Sequence, residues 1–174
     1  MMYVAILCLS VCAGFNALAK DKKSATAKKR ISLTKAEVDK CISVLPAFIQ
    51  EFPSFNPLSG GMGKGGGINM KKMASGAKLT KLNAFATKNG YKNFHGFAKD
   101  FTGVMSGYMY YKTQDVKKMF EQQLKTLPPE TAGLMKAQMK PMEISLKKLK
   151  ESVTPELLEA VKPYKETMDK IMGL

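Results

Sequence analysis

Leu33-Thr34-Lys35-Ala36-Glu37-Val38-Asp39-Lys40-Cys41-Ile42-Ser43-Val44-Leu45-Pro46-Ala47-Phe48-Ile49-Gln50-Glu51-Phe52 reads as a helix with a marked start. Thr34 and Glu37 have the spacing of a capping box. The Thr34 hydroxyl can accept the Glu37 N–H, and the Glu37 carboxylate can reach back. Leu33 and Val38 are placed as the hydrophobic staple across that start. Val38, Cys41/Ile42, Leu45, Phe48/Ile49 and Phe52 then recur at steps of three and four, which makes one apolar stripe. Pro46 removes one backbone hydrogen bond, so a kink near Ile42 is expected.

The same period recurs downstream. A weaker helix is expected over about 69–88, with Asn89-Gly90 as its stop. Asn93 is an N-cap candidate for the next helix, whose stripe is Phe94, Phe97/Ala98, Phe101, Val104/Met105 and Tyr108. It resumes at Val116, Met119/Phe120 and Leu124, with a break expected near Lys112-Thr113. Gly96, Gly103 and Gly107 share one face, where another helix could approach closely or the chain could bend.

After Leu127-Pro128-Pro129, the series Met135, Met139, Met142, Leu146, Leu149 and Val153 alternates four and three, the seam of antiparallel helix packing. Pro141 should bend it. Thr154-Pro155-Glu156 is an N-cap with proline at the first helical position. Leu157/Leu158, Val161, Tyr164, Met168 and Ile171/Met172 form the last stripe. No segment alternates with period two between hairpin turns. The expected fold is all-α: an irregular bundle of four to six helices with proline kinks and a Gly-rich flexible loop.

Residues 1–19 have the form of a secretory signal peptide. An apolar run from Val4 to Phe15 precedes Ala17-Leu18-Ala19, a small-x-small site with the cut expected between Ala19 and Lys20. The run is shorter than the ~20 residues of a bilayer span. It lacks a basic residue before it, and Lys20, Lys22 and Lys23 follow the cut. An uncleaved anchor is therefore the alternative. Cleavage would place the protein in the periplasm or outside the cell, with Cys41 as its one cysteine and no internal disulfide. The expected organisation is a signal at 1–19, a basic flexible arm at 20–30 and a single helical domain at 31–174 with a Gly-rich linker at 53–68.

The chain has 174 residues, 45% of them apolar, enough for one domain with a real core. It has no tryptophan and 13 methionines, so a soft, Met-rich core is expected. The net charge is +14, nearly all of the excess from lysine, with Arg30 the sole arginine. Residues 52–99 contain no acid and eight lysines, interleaved with Phe85, Tyr91, Phe94 and Phe97. Lysine is a hydrated point charge without the bidentate fork of arginine, which suits diffuse attraction to an anionic surface. The candidate anionic-surface residues are Lys64, Lys71, Lys72, Lys78, Lys81, Lys88 and Lys92. The bland account is a lysine-rich face that keeps the protein soluble.

Catalytic residue types are few. His95 is the only histidine, so clustered His/Cys metal sites are excluded as single-chain features and no cofactor is expected. Cys41 lies on an apolar stripe, where a small buried hydrophobe belongs, and His95 near a helix start suits a surface or capping role. Gly61-Met62-Gly63-Lys64-Gly65-Gly66 matches a dinucleotide fingerprint in letters only, because no strand precedes it and no helix start follows it directly. Glu121, Glu143, Glu156, Glu159, Glu166 and Asp169 fall mostly on lysine-bearing polar faces, as solvated ion pairs do.

Three pieces resemble uncharacterised small secreted helical proteins of Gram-negative bacteria. They are Leu33-Thr34-Lys35-Ala36-Glu37-Val38 running into Leu45-Pro46-Ala47-Phe48; Asn89-Gly90-Tyr91 with Phe94, Phe97, Val104-Met105 and Tyr108; and Val161-Lys162-Pro163-Tyr164. The resemblance implies a signal-bearing helical protein and no activity. The leading expectation is a non-enzymatic binding or structural role at the cell envelope, toward anionic lipid, lipopolysaccharide or an acidic protein. An enzyme using surface carboxylates or His95 is one alternative. A membrane-anchored or cytoplasmic nucleic-acid binder is the other, and it requires residues 1–19 to stay uncleaved; export makes nucleic acid an unlikely partner.

Overall fold

A computed structural model describes residues 30–53 and 77–174. The signal segment with Ala17, Ala19 and Lys20, the arm at 20–29, most of the Gly-rich linker, and Lys64, Lys71 and Lys72 lie outside the described residues. Within them the fold is all-α. The elements are α1 (Lys35–Glu51), α2 (Ala77–Lys88), α3 (Phe94–Leu124), α4 (Pro129–Ser152), α5 (Pro155–Val161), a 3-10 turn (Lys162–Tyr164) and α6 (Lys165–Met172). No strand occurs among the described residues, only an isolated parallel bridge between Ile31 and Val153.

The capping box forms as its spacing requires. The Glu37 N–H donates to the Thr34 hydroxyl at 3.3 Å, and the Thr34 N–H donates to Glu37 Oε2 at 2.7 Å. Leu33 and Val38 are both buried. Pro46 and Pro141 lie inside α1 and α4. Asn93 Oδ1 accepts the Gly96 N–H at 3.0 Å to start α3, and Thr154 Oγ1 accepts the Leu157 N–H at 3.3 Å to start α5. Gly90, with φ of 77°, supplies the left-handed turn that stops α2, a conformation that glycine reaches at no steric cost.

Phenylalanines cluster in one part of the core, and aliphatic side chains with two tyrosines, Tyr108 and Tyr111, fill the part under the C-terminal helices. Phe48 of α1 is the hub: its ring centroid lies 4.7 Å from Phe97, 5.5 Å from Phe85 and 5.9 Å from Phe101. Such offset and tilted pairs each add about 0.5–1.5 kcal/mol beyond simple burial. Val104, Leu157, Val161 and Met168 in that second part are fully buried. Met105, Met139, Met142, Met168 and Met172 are buried, so methionine does contribute to the interior.

Helix α3 is continuous from Phe94 to Leu124, and the break expected near Lys112-Thr113 is absent. Tertiary ion pairs hold this region to the C-terminal helices. Lys112 pairs with Asp169 at 3.0 Å, and Asp115 with Lys165 at 2.6 Å. Thr113 is accommodated because its hydroxyl donates to the Met109 carbonyl at 2.7 Å. Helix α4 packs along α3, with Met139, Met142, Leu149 and Val153 buried and Met135 and Leu146 half-buried.

The segment before α1 is stitched across the end of α4. The Ile31 N–H donates to the Ser152 carbonyl at 2.8 Å, and the Thr154 N–H donates to the Ile31 carbonyl at 3.0 Å. The Tyr164 hydroxyl donates to Asp39 Oδ1 at 2.6 Å, tying the 3-10 turn to α1.

Candidate functional site

Helix α2 buries Leu82, Phe85 and Ala86 against the aromatic core. At 100° per residue Lys81 and Lys88 fall within about 20° of each other at the edge of the buried face beside Phe85, while Lys78, on the first turn, falls in register with that face. All three are exposed, and so is Lys92 in the turn that follows. The ion pairs among the described residues use Lys35, Lys112, Lys117, Lys162 and Lys165, and none of the four lysines on and after α2. The charge of the acid-free span is thus presented to solvent along its described part.

This region has a fixed position. Lys40 of α1 donates to the Gly90 carbonyl at 2.6 Å, and its ammonium stands 4.2 Å from the centroid of the Tyr91 ring. Asn83 of α2 accepts the Phe94 N–H at 2.9 Å, so a side chain of one helix satisfies the start of the next. The aromatics interleaved with these lysines are core residues: Phe85, Tyr91, Phe94 and Phe97 are all buried. They are not displayed as stacking platforms, which single-strand nucleic-acid binding would need.

Cys41 is fully buried, and burial pushes its thiol up to about 12. His95 is exposed on the first turn of α3, so the two do not share an accessible surface. The electrostatic neighbours of Cys41 are Tyr91 and Asp100, both buried. Among the described residues the Tyr91 hydroxyl has no partner at ordinary hydrogen-bond geometry, and the Cys41 thiol is the polar group that acts on it most directly. Burial raises the Asp100 carboxyl, Glu37 adds to the rise, and Lys99 and Lys40 oppose it. Burial raises the thiol, the Tyr91 phenol and the Asp100 carboxyl alike, and the raised thiol leaves Cys41 unactivated as a nucleophile. Asp100 escaped the sequence reading, although its place among Phe97, Phe101 and Val104 on the apolar stripe was the available signal.

The surface carboxylates are engaged or solvated. Glu143 and Glu121 both approach Lys117, at 3.0 and 3.5 Å. Asp169 accepts from Tyr108 at 2.5 Å and from Lys112. Glu156 and Glu166 are exposed on the first turns of α5 and α6, where a helix N-terminus favours negative charge. Among the described residues no group of His, Cys, Asp and Glu could hold a metal ion, and no helix is long and apolar enough to cross a membrane. No protein-family model, no curated protein and no solved structure matches the chain.

Proposed function

We propose that the protein is an exported, lysine-rich binding protein of the cell envelope whose lysines on and after α2 meet an anionic surface. Residues 1–19 serve as the export signal, cut after Ala19, in keeping with their apolar run and small-x-small end. The observation that carries the binding reading is the set Lys78, Lys81, Lys88 and Lys92. These lysines are exposed and have no ion pair among the described residues, inside a span that contains no acid. Lys64, Lys71 and Lys72 belong to the same span and add to the same charge.

Each lysine near an anionic membrane contributes about 1 kcal/mol, fading within a Debye length. The four described lysines therefore supply about 4 kcal/mol at low salt. That is enough for reversible association and too little for anchoring. The attraction reads charge density and not headgroup identity, because lysine lacks a planar fork.

The test is co-sedimentation of the processed protein with vesicles of phosphatidylglycerol and phosphatidylcholine, against phosphatidylcholine alone. Binding to the anionic vesicles that weakens steeply with salt, and that falls when Lys78, Lys81, Lys88 and Lys92 are replaced by Gln, supports the reading. Equal binding to both vesicle types at low salt overturns it.

A further inference from the structure

Between α3 on one side and α5 with the 3-10 turn on the other lies an open cleft of about 420 Å³. Tyr111 and Leu158 form its floor. Both are buried, and the Tyr111 hydroxyl donates to the Leu158 carbonyl at 3.0 Å. The Asp115–Lys165 pair at 2.6 Å fastens the two walls together, and the Lys165 ammonium also stands 5.8 Å from the Tyr111 ring centroid.

The walls present different chemistry. From α3 come Tyr110, Gln114 and Lys118, with Gln114 Nε2 donating to the Tyr110 hydroxyl at 2.7 Å. From the facing wall come Glu159 and Lys162, whose charges meet only loosely at 3.9 Å, both side chains exposed. Lys118 is exposed and has no ion pair among the described residues. Two ammonium groups thus stand on opposite walls above this floor. One wall adds a half-buried tyrosine and an amide that both donates and accepts.

We propose that this cleft binds a sugar ring carrying a carboxylate or a phosphate. Its volume lies in the range of about 300–1,000 Å³ typical of small-ligand sites. Lys118 and Lys162 would take the anionic group, and Tyr110 would cover an apolar face of the ring. Gln114 and Glu159 would serve hydroxyls, which need both donors and acceptors. A flat bilayer cannot enter a concave site of this size. The cleft shares no residue with the lysines on and after α2, so failure of vesicle binding leaves it standing.

The experiment is a titration of isotope-labelled processed protein, followed by amide chemical shifts. The probes are glucuronate and glucose 6-phosphate, with glucose, inorganic phosphate and adenosine monophosphate as comparators. The expected result is saturable shifts at Tyr110, Gln114, Lys118 and Lys162 with the two acidic sugars, and affinity about tenfold or more above that for glucose, as charge-assisted hydrogen bonds give. The Lys118→Ala/Lys162→Ala double variant should lose about tenfold or more in affinity for the acidic sugars. Both lysines are exposed, and the variant's own spectrum reports whether the fold is kept. The proposal is overturned if no acidic sugar gives saturable shifts at the cleft. It is overturned equally if glucose, inorganic phosphate or adenosine monophosphate binds there as tightly as the acidic sugars.

Discussion

Leu33 lies directly on the α3 backbone at Gly103: a Cβ on that glycine would stand 2.7 Å from Leu33 Cδ1 and 3.1 Å from Ile31 Cγ2. Leu33 is buried, and both neighbouring backbone bonds of Ile31 pin the segment to the end of α4, so neither side chain can retreat freely. Gly103→Ala gains about 1 kcal/mol of helix propensity and incurs about 1–3 kcal/mol of overpacking. The expected outcome is a net loss of about 1 kcal/mol in urea denaturation with an unchanged m-value. A variant as stable as the parent would show that the segment before α1 yields.

Gly133 offers the opposite case. It is exposed inside α4, and an added Cβ would meet nothing within 4 Å. Gly133→Ala should therefore raise stability by about 0.5–1 kcal/mol, the difference in helix propensity alone. A thermal melt of the two alanine variants side by side separates close packing from backbone entropy.

Local signals were legible, and long-range ones were not. The capping box at Thr34, the caps at Asn93 and Thr154 and the stop at Gly90 each depend on residues within one turn, and each forms. The buried faces of α1 and α3 follow their three- and four-residue spacing for the same reason. The expected break at Lys112-Thr113 does not occur, and the partners of that stretch, Asp169 and Lys165, come from a helix some fifty residues later, out of reach of a local pattern. The lysines of α2 were visible as residues, but their exposure required the packed helix, and the cleft beside Tyr110 required α5 to lie against α3.

Asp100 should make the protein less stable as pH rises through the carboxylate range. Burial raises its folded-state affinity for a proton above that of the unfolded chain. The folded state then binds more protons than the unfolded state from the ordinary carboxyl value of 3.8 upward, and stability falls across that window. Asp100→Asn keeps the shape and removes the titration. Denaturation at pH 3 and pH 7 should give the variant its advantage over the parent only at the higher pH. An equal difference at both values would remove the carboxyl as the cause.

Asp169 carries the opposite sign. Burial works against its charged form, but hydrogen bonds from Tyr108 and Lys112 outweigh that and hold the carboxyl below its usual range. Its contribution is present above the unfolded value and lost as pH falls through the lowered folded one. Tyr108→Phe deletes one of these bonds, the 2.5 Å contact, and leaves the ring buried. A hydrogen bond to a charged group contributes about 1.5–3 kcal/mol, so a loss of that order is expected at pH 7, shrinking in strong acid. A pH-independent loss would instead point to repacking around the ring.

Cys41 should be silent in the folded protein. It has no accessible surface, and burial holds its thiol at about 12, so thiolate is scarce at neutral pH. Reaction with a disulfide reagent requires both exposure and thiolate. Labelling of Cys41, located by mass spectrometry, should therefore proceed only as fast as the α1–α3 core opens. Added denaturant should accelerate it in step with unfolding, and Gly103→Ala should do the same if its strain reaches this interface. Rapid labelling under native conditions would mean that α1 separates locally from α3 while the rest of the fold persists. The buried Tyr91 hydroxyl and the buried Asp100 carboxyl would then mark where that opening begins.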